Sequence, residues 1–151
     1  GCELSVTCDL RIASDKSVLG MPPAKLGVLY SASGMQKFIN LVGVGNTKGI
    51  FFTGGRITAQ RAMSMGLINQ MVSEDELETI TYGIAAEIAG NAPLSVTNTK
   101  KGLELILEYQ ALTNEGRGLY QAMIDQCFSS EDLKEGQRAF LEKRPPKFVG
   151  R

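Results

Sequence analysis

Residues 20–34 have the sequence GMPPAKLGVLYSASG, and the regular elements of the chain are arranged on either side of this proline loop. The loop holds two prolines and three glycines and shows almost no hydrophobic periodicity. Because proline fixes φ and glycine permits positive φ, these residues specify one particular backbone path. Loops held between helices and strands often carry active sites. Tyr30 supplies a phenol that donates or accepts hydrogen bonds, although a half-buried tyrosine in a surface loop has the same pattern.

On the N-terminal side of the loop, residues 1–8 are small and apolar, which fits a buried helix or a buried strand. Residues 9–13 alternate between polar and apolar side chains, and this period predicts a strand. Residues 17–21 are predicted to form a second short strand. The chain therefore enters the loop from a predicted β region.

On the C-terminal side, Ser33 or Gly34 is predicted to begin a helix that Gly43 and Gly45 end, followed by a short helix over 47–53. The remaining predicted elements are a helix capped by Thr58 and ending at Gly66, a strand over 67–72, and helices beyond it. The signals for those helices are the capping box Ser73–Glu76, the Asn91 cap with Pro93 in the first turn, and the stop at Pro145-Pro146. Residues 1–90 are thus mixed α/β, and residues 91–151 are almost all helical.

Composition excludes several classes of protein. The 16 basic and 16 acidic residues cancel, so no basic excess points to a nucleic-acid partner. No apolar run reaches the ~18 residues of a membrane helix, and no signal peptide is visible. The three cysteines have no metal-ligand spacing, and without histidine a His-containing zinc site is excluded. Reduced thiols in a cytoplasmic protein are the simplest interpretation. The start at Gly1, without Met, predicts a longer chain whose N-terminal portion is absent here.

Several short motifs occur together in a recognisable order and spacing. They are Gly1-Cys2-Glu3-Leu4 with Cys8-Asp9, the proline loop, Phe52-Thr53-Gly54-Gly55, Gly66-Leu67-Ile68-Asn69, Ala92-Pro93-Leu94, and Ser130-Glu131-Asp132 through Phe140-Leu141-Glu142-Lys143-Arg144. Each motif alone is weak, but the ordered set covers essentially all 151 residues. On these motifs the chain resembles the C-terminal part of the crotonase family, also called the enoyl-CoA hydratase/isomerase family.

This resemblance implies a fold and an assembly. Residues 1–90 would form the C-terminal part of a spiral of ββα turns, and residues 91–151 would be a helical region that joins subunits into trimers or hexamers. The family stabilises a CoA-thioester enolate with two backbone N–H groups, an oxyanion hole. By alignment both amides lie upstream of Gly1, so this piece alone is expected to be inactive. Gly1, Cys2 and Glu3 would form the first turn of the helix that supports the hole.

The resemblance also implies candidate catalytic residues. Hydratases of the family use two glutamates for acid and base catalysis. Glu3 matches the first, whereas Pro23 occupies the position of the second and cannot transfer a proton. The loop is similar instead to that of the family's decarboxylases for malonyl- and methylmalonyl-type CoA thioesters, which place a tyrosine at the position of Tyr30. Decarboxylation leaves an enolate directly, so no base has to remove a carbon-bound proton.

Further residues are implied for substrate binding. Leu29 would line the apolar loop, and Phe140 and Lys143 would hold the CoA nucleotide, with no cofactor beyond the CoA of the substrate. Three alternatives remain open: a decarboxylase; a hydratase, isomerase or ring-processing lyase that uses Glu3; and a non-catalytic CoA-binding and oligomerisation piece. Purely structural roles also fit Glu3 as a helix N-terminal carboxylate, Tyr30 as a core residue and Lys143 as a solvated helix end.

Overall fold

The computed structural model describes residues 1–26, 29–109 and 114–151, with the backbone alone at some helical positions, which are Leu26, Glu108, Tyr109, Gly116, Arg117, Tyr120, Met123, Ile124 and Phe140. Gly27 and Val28 of the proline loop lie outside the described residues. The chain forms two compact units, Gly1–Tyr82 and Gly83–Arg151. The mixed α/β class predicted for the chain is confirmed.

The first unit combines short helices with two small sheets. Its elements in order are α1 (Cys2–Thr7), β1 (Ile12–Ser14), β2 (Val18–Gly20), a 3-10 turn (Pro23–Leu26), α2 (Ala32–Thr53), β3 (Arg56–Thr58), α3 (Ala59–Ser64), β4 (Gln70–Val72) and α4 (Leu77–Ala89), which continues into the second unit. β1 pairs in parallel with β4, and β2 pairs antiparallel with β3. Along the chain, α1 precedes β1 and β2, and the proline loop follows them.

Most predicted elements occur, with shifted ends. Residues 1–8, predicted to be a helix or a strand, contain helix α1 (Cys2–Thr7), and the strand predicted over 9–13 is wrong in its first half. The reason is Arg11, which is buried and donates from Nε to the Leu67 carbonyl at 2.9 Å and from Nη1 to the Cys8 carbonyl at 2.5 Å. The polar and apolar residues alternate here because Arg11 is polar, but its side chain is buried rather than exposed as in an alternating strand. The strand starts only at Ile12. The strand predicted over 67–72 begins only at Gln70, because the amides of Leu67 and Ile68 bond the Ala62 carbonyl in a turn.

Helix α2 is interrupted at Gly43, whose φ of 73° and ψ of 167° are not helical. The predicted glycine break is confirmed at Gly43, and helical structure resumes before Thr47. Phe38 and Phe51 lie on opposite sides of the break, and their rings meet edge to face at 5.1 Å. A straight helix would separate thirteen residues by about 20 Å along its axis. The break therefore turns the second half of α2 back onto the first.

The helix caps follow the sequence with two corrections. Ser31, not Ser33 or Gly34, caps α2 by accepting a hydrogen bond from the Gly34 amide at 3.1 Å. Thr58 caps α3 as predicted. The hydroxyl of Ser73 donates to the Glu76 carboxylate instead of accepting from a backbone amide, so the predicted capping box is wrong in its geometry. The Ser73 hydroxyl and the Glu76 carboxylate thus bond each other instead of the backbone. Helix α4 begins at Leu77, the residue after Glu76.

The second unit contains α5 (Pro93–Tyr109), α6 (Asn114–Ser129) and α7 (Glu131–Glu142). Pro93 opens α5 and α7 ends before Pro145, both as predicted. After α7 the chain runs back along this helix, and the buried Asp132 accepts the amides of Val149 at 2.6 Å and Gly150 at 2.9 Å. Among the described residues, no helix has the length and apolar character needed to cross a membrane.

We expect Gly43→Ala to destabilise the protein by about 1–3 kcal/mol, because the backbone conformation at Gly43 is nearly restricted to glycine and helical dihedrals would part Phe38 from Phe51. Gly49→Ala is the matched control in the same helix. A Cβ at Gly49 meets open space, so alanine there should stabilise by up to about 1 kcal/mol. Denaturant unfolding measures both variants. Equal stabilities of the two variants would contradict a required break at Gly43.

Candidate active site

Tyr30 lies immediately before the cap of α2, with its ring against Phe51 at a centroid distance of 5.4 Å. The residue is half-buried, but its hydroxyl oxygen is fully buried and makes no hydrogen bond within the part of the chain that the structure describes. A buried hydroxyl without a partner loses its hydration and gains nothing in return. A buried polar group without a partner therefore needs an explanation, and a catalytic role is one of those known for native proteins.

Glu3 lies in the first turn of α1 and is exposed to solvent. Burial of the hydroxyl is the first cause that raises the pKa of Tyr30 to about 12, and the nearby Glu3 carboxylate, through hydrogen bonding and charge, and then Cys2 add to the shift. The Glu3 carboxylate therefore lies close to the hydroxyl, although the two groups do not meet the full geometry of a hydrogen bond. The phenol stays protonated at physiological pH and is available as a hydrogen-bond donor. Two residues predicted from separate motifs, Glu3 and Tyr30, therefore lie close together.

Gly1 and Cys2 place α1 beside the start of the proline loop. Gly1 is the N-cap of α1, and its carbonyl accepts the Ser5 amide at 2.9 Å. Cys2 packs against the core, and burial raises the pKa of its thiol even though a backbone hydrogen bond from Gly20 opposes the shift. Gly20 is the last residue of β2, so strand β2 and helix α1 meet at this thiol.

Pro23 is the first residue of the 3-10 turn and is buried. Because the residue is a proline, the turn offers no carboxylate at that position. The turn packs closely on Gly54, where an added Cβ would lie 3.1 Å from the Lys25 side chain and 3.3 Å from the Pro22 backbone. Lys25 is therefore held over the C-terminal end of α2. Leu29, predicted to line the apolar loop, is 91% exposed. The structure does not bring Leu29 into contact with the core.

The predicted nucleotide-binding residues lie at the end of α7. Lys143 is exposed, at a φ of 52°, and Phe140 has its side chain outside the described residues. Arg144 donates to both carboxylate oxygens of Glu135, at 2.6 and 3.1 Å, and to Glu142 at 2.5 Å. The hydrogen bond from Arg144, with a second from the Lys147 amide, lowers the pKa of Glu135 to about 2. Arg144 is therefore occupied by carboxylates.

Sequence reasoning missed two residues that shape these regions. Phe51 supports the Tyr30 ring, and its signal was only an apolar pair, Phe51-Phe52, without a visible partner. Asp132 ties down the C-terminal segment, and a carboxylate in the first turn of a capped helix is ordinarily solvated. No group of three or more histidine, cysteine or acidic side chains in the described part of the chain could hold a metal ion.

The whole chain, residues 1–151, matches the family model for enoyl-CoA hydratase/isomerase. The chain belongs to this family. Among curated relatives, methylmalonyl-CoA decarboxylase of Escherichia coli is 37% identical over 98% of the chain, and a short-chain-enoyl-CoA hydratase of Clostridium acetobutylicum is 35% identical over 95%. The chain spans about half the length of these relatives, 57% and 54% respectively. These two relatives are named for two different reactions, a decarboxylation and a hydration, so family membership alone does not identify the reaction.

Solved structures of the family share the fold. The enoyl-CoA hydratase of Bacillus anthracis superposes with a TM-score of 0.92 at 34% identity, covering 100% of this chain and 58% of the other. An enoyl-CoA hydratase/isomerase family protein of Hyphomonas neptunium gives 0.90 at 38% identity, covering 99% and 56%. The crotonase-like fold predicted from the ordered motifs is confirmed.

We expect Glu3→Gln to lower the pKa of Tyr30 from about 12 toward its ordinary value of 10.0, because the carboxylate disfavours the phenolate. The shift should be partial, since burial of the hydroxyl remains. Absorbance of the phenolate, with the titration of a Tyr30→Phe variant subtracted, isolates this tyrosine from the other three. If the pKa of Tyr30 is unchanged in Glu3→Gln, the carboxylate of Glu3 does not act on the phenol.

Proposed function

We propose that the protein is a crotonase-family lyase that decarboxylates a malonyl- or methylmalonyl-type CoA thioester. The observation that carries this proposal is the buried, protonated and unpartnered hydroxyl of Tyr30 beside Glu3. Pro23 supplies no second carboxylate for adding water to an enoyl thioester. The similarity to methylmalonyl-CoA decarboxylase supports the same choice.

In this mechanism the substrate carboxylate provides the partner that the Tyr30 hydroxyl lacks. One hydrogen bond from the phenol holds the carboxylate out of the plane of the thioester, so that the breaking carbon–carbon bond aligns with the carbonyl π system. That bond breaks, its electron pair forms the thioester enolate, and CO2 leaves. The ring of Phe51 keeps this side of the phenol free of water, which strengthens the hydrogen bond. Water then protonates the enolate carbon.

The proposal includes the setting of the site. The oxyanion hole lies in residues upstream of Gly1, and the enzyme is cytoplasmic and requires no cofactor beyond the CoA of its substrate. Subunits assemble as trimers or hexamers through the helices of residues 91–151. Exposed apolar side chains on α5 support that assembly, namely Leu103, Ile106 and Leu107. Ile106 and Leu107 follow Leu103 at spacings of three and four residues, so all three side chains lie on one helix face.

The second candidate is a hydratase, isomerase or ring-processing lyase in which Glu3 is the base. It is favoured by the exposure of Glu3 at the start of α1 and by the similarity to short-chain-enoyl-CoA hydratase. In that case an acid from outside this chain completes the pair. A third candidate, a CoA-binding and oligomerisation piece without catalysis, predicts that every thioester remains unconverted.

We expect Tyr30→Phe to lower kcat about 10²-fold, roughly 2.7 kcal/mol of barrier, with malonyl-type thioesters. The variant should be at least as stable as the parent, gaining up to about 1–3 kcal/mol, because the removed hydroxyl is buried without a hydrogen-bond partner. Glu3→Gln should have the smaller effect, since no proton abstraction is assigned to it. If Glu3 is instead the base of a hydratase, its loss costs about 10²–10⁴-fold with enoyl-type thioesters. Activity that is lost in Glu3→Gln and retained in Tyr30→Phe would reject the decarboxylase.

We expect Lys143→Ala to weaken CoA-thioester binding by about 1–2 kcal/mol, the scale of one hydrogen bond to a charged group. Arg144 cannot substitute, because its guanidinium is committed to Glu135 and Glu142. Lys143→Arg retains the positive charge and should keep most of the affinity. Calorimetric titration with the substrate's thioester and with its dephospho-CoA analogue measures both variants. A dissociation constant unaffected by Lys143→Ala would leave this lysine as a solvated helix end.

A further inference from the structure

We infer that Gly34 and Phe51 are positioning residues for Tyr30: they form a slot that fixes the ring and thereby sets where its hydroxyl lies. This inference rests on the proposed function, because it concerns how the proposed catalytic tyrosine is held. Both residues belong to α2, so this helix determines where the Tyr30 hydroxyl lies: Gly34 leaves space for the ring, and the ring of Phe51 packs against it.

The first wall of the slot is the backbone of Gly34, a buried residue in the first turn of α2. A Cβ at this position would overlap the ring atom Cε1 of Tyr30 and would lie 2.9 Å from Cδ1. Real Cβ atoms do not approach carbon so closely, so the ring can occupy its place only because position 34 is glycine. The dihedrals of Gly34 are ordinary helical ones, so its requirement is for space.

The second wall is Phe51, whose ring is tilted by 47° against that of Tyr30. Phe51 is itself held edge to face by Phe38, which is fully buried. The tyrosine ring therefore rests on a rigid part of the core, while its own residue belongs to the proline loop. A ring confined on two sides has little freedom to rotate away from Glu3 or toward solvent.

Confinement explains why the hydroxyl stays buried without a partner. A tyrosine free to move would turn its hydroxyl toward water and recover the lost hydration. In this slot the ring cannot turn without clashing with Gly34 or losing contact with Phe51. The hydroxyl is thus kept desolvated until a substrate carboxylate arrives, which is the preorganisation that electrostatic catalysis needs.

The test is Gly34→Ala in the full-length enzyme. Its new Cβ should push the ring outward, and the pKa of Tyr30 should fall from about 12 toward 10.0 as the hydroxyl becomes hydrated. Phe51→Leu removes the other wall and should shift the titration in the same direction. With the proposed substrate, kcat of Gly34→Ala should fall about 10²-fold at nearly constant KM. A Tyr30 titration unchanged in Gly34→Ala would overturn the inference.

Two controls separate the ring contact from other effects of the alanine. Gly49→Ala adds the same methyl group to α2 in open space and should leave the titration of Tyr30 unchanged. Ser31→Ala removes the cap that bonds the Gly34 amide, and it should reduce stability without moving the titration. This second control matters because the new Cβ would also lie 2.9 Å from the Ser31 hydroxyl.

A double-mutant cycle keeps the test decisive if Gly34→Ala folds poorly. In a Tyr30→Ala background the clash is absent, so the destabilisation caused by Gly34→Ala should largely disappear. An equal loss of stability in both backgrounds would assign the cost to the backbone or to Ser31 and would overturn the inference. The titration and the cycle need no turnover. If the proposed reaction is wrong, both still report the slot; if the slot is wrong, decarboxylation can still depend on Tyr30.

Discussion

The edge-to-face contact between Phe38 and Phe51 is the interaction on which the arrangement of the site depends. It exists because Gly43 adopts a conformation that folds the second half of α2 back onto the first. Phe51, placed by that reversal, then carries the ring of Tyr30. A glycine eight residues before Phe51 thus determines where a phenol of the proline loop lies. The energy of the contact is modest, about 0.5–1.5 kcal/mol beyond area burial, but its geometric consequence extends to the site.

The buried hydroxyl of Tyr30 has an energetic cost that the rest of the unit must cover. An unsatisfied buried donor costs about 1–3 kcal/mol, and the nearby Glu3 carboxylate offers charge without a hydrogen bond. The core of the same unit is well packed: Phe38 and Leu67 are fully buried, and Arg11 donates hydrogen bonds to two backbone carbonyls. Local conflicts of this kind, maintained by a well-packed scaffold, are characteristic of functional positions.

Much of the fold could be predicted because its boundaries have chemical signals. Thr58, Pro93 and Pro145 mark helix ends through caps and missing donors, and the structure places those ends accordingly. Strand β3 has only three residues, from Arg56 to the helix cap Thr58, and is too short to show any period. Arg11 misled the strand prediction because alternation cannot distinguish a solvent-facing arginine from one turned inward. The convergence of Glu3 and Tyr30 was expected only from the family resemblance, and the support from Phe51 requires the reversal at Gly43, which a linear pattern cannot express.

The protonation states at the site bear on the choice between reactions. Adding water to a double bond needs one group to accept a proton and another to deliver one at neutral pH. In the hydratase alternative Glu3 accepts the proton, and a phenol whose pKa is raised to about 12 is a poor acid for delivering one. Losing CO2 has no such requirement, because the electron pair is released by the bond that breaks. The proposed decarboxylation uses a neutral donor, a desolvated environment and one fixed orientation, together with the oxyanion hole that stabilises the enolate. In the proposed decarboxylase, the negative charge of Glu3 would disfavour the phenolate, so that the proton stays on Tyr30 and the hydroxyl remains a donor.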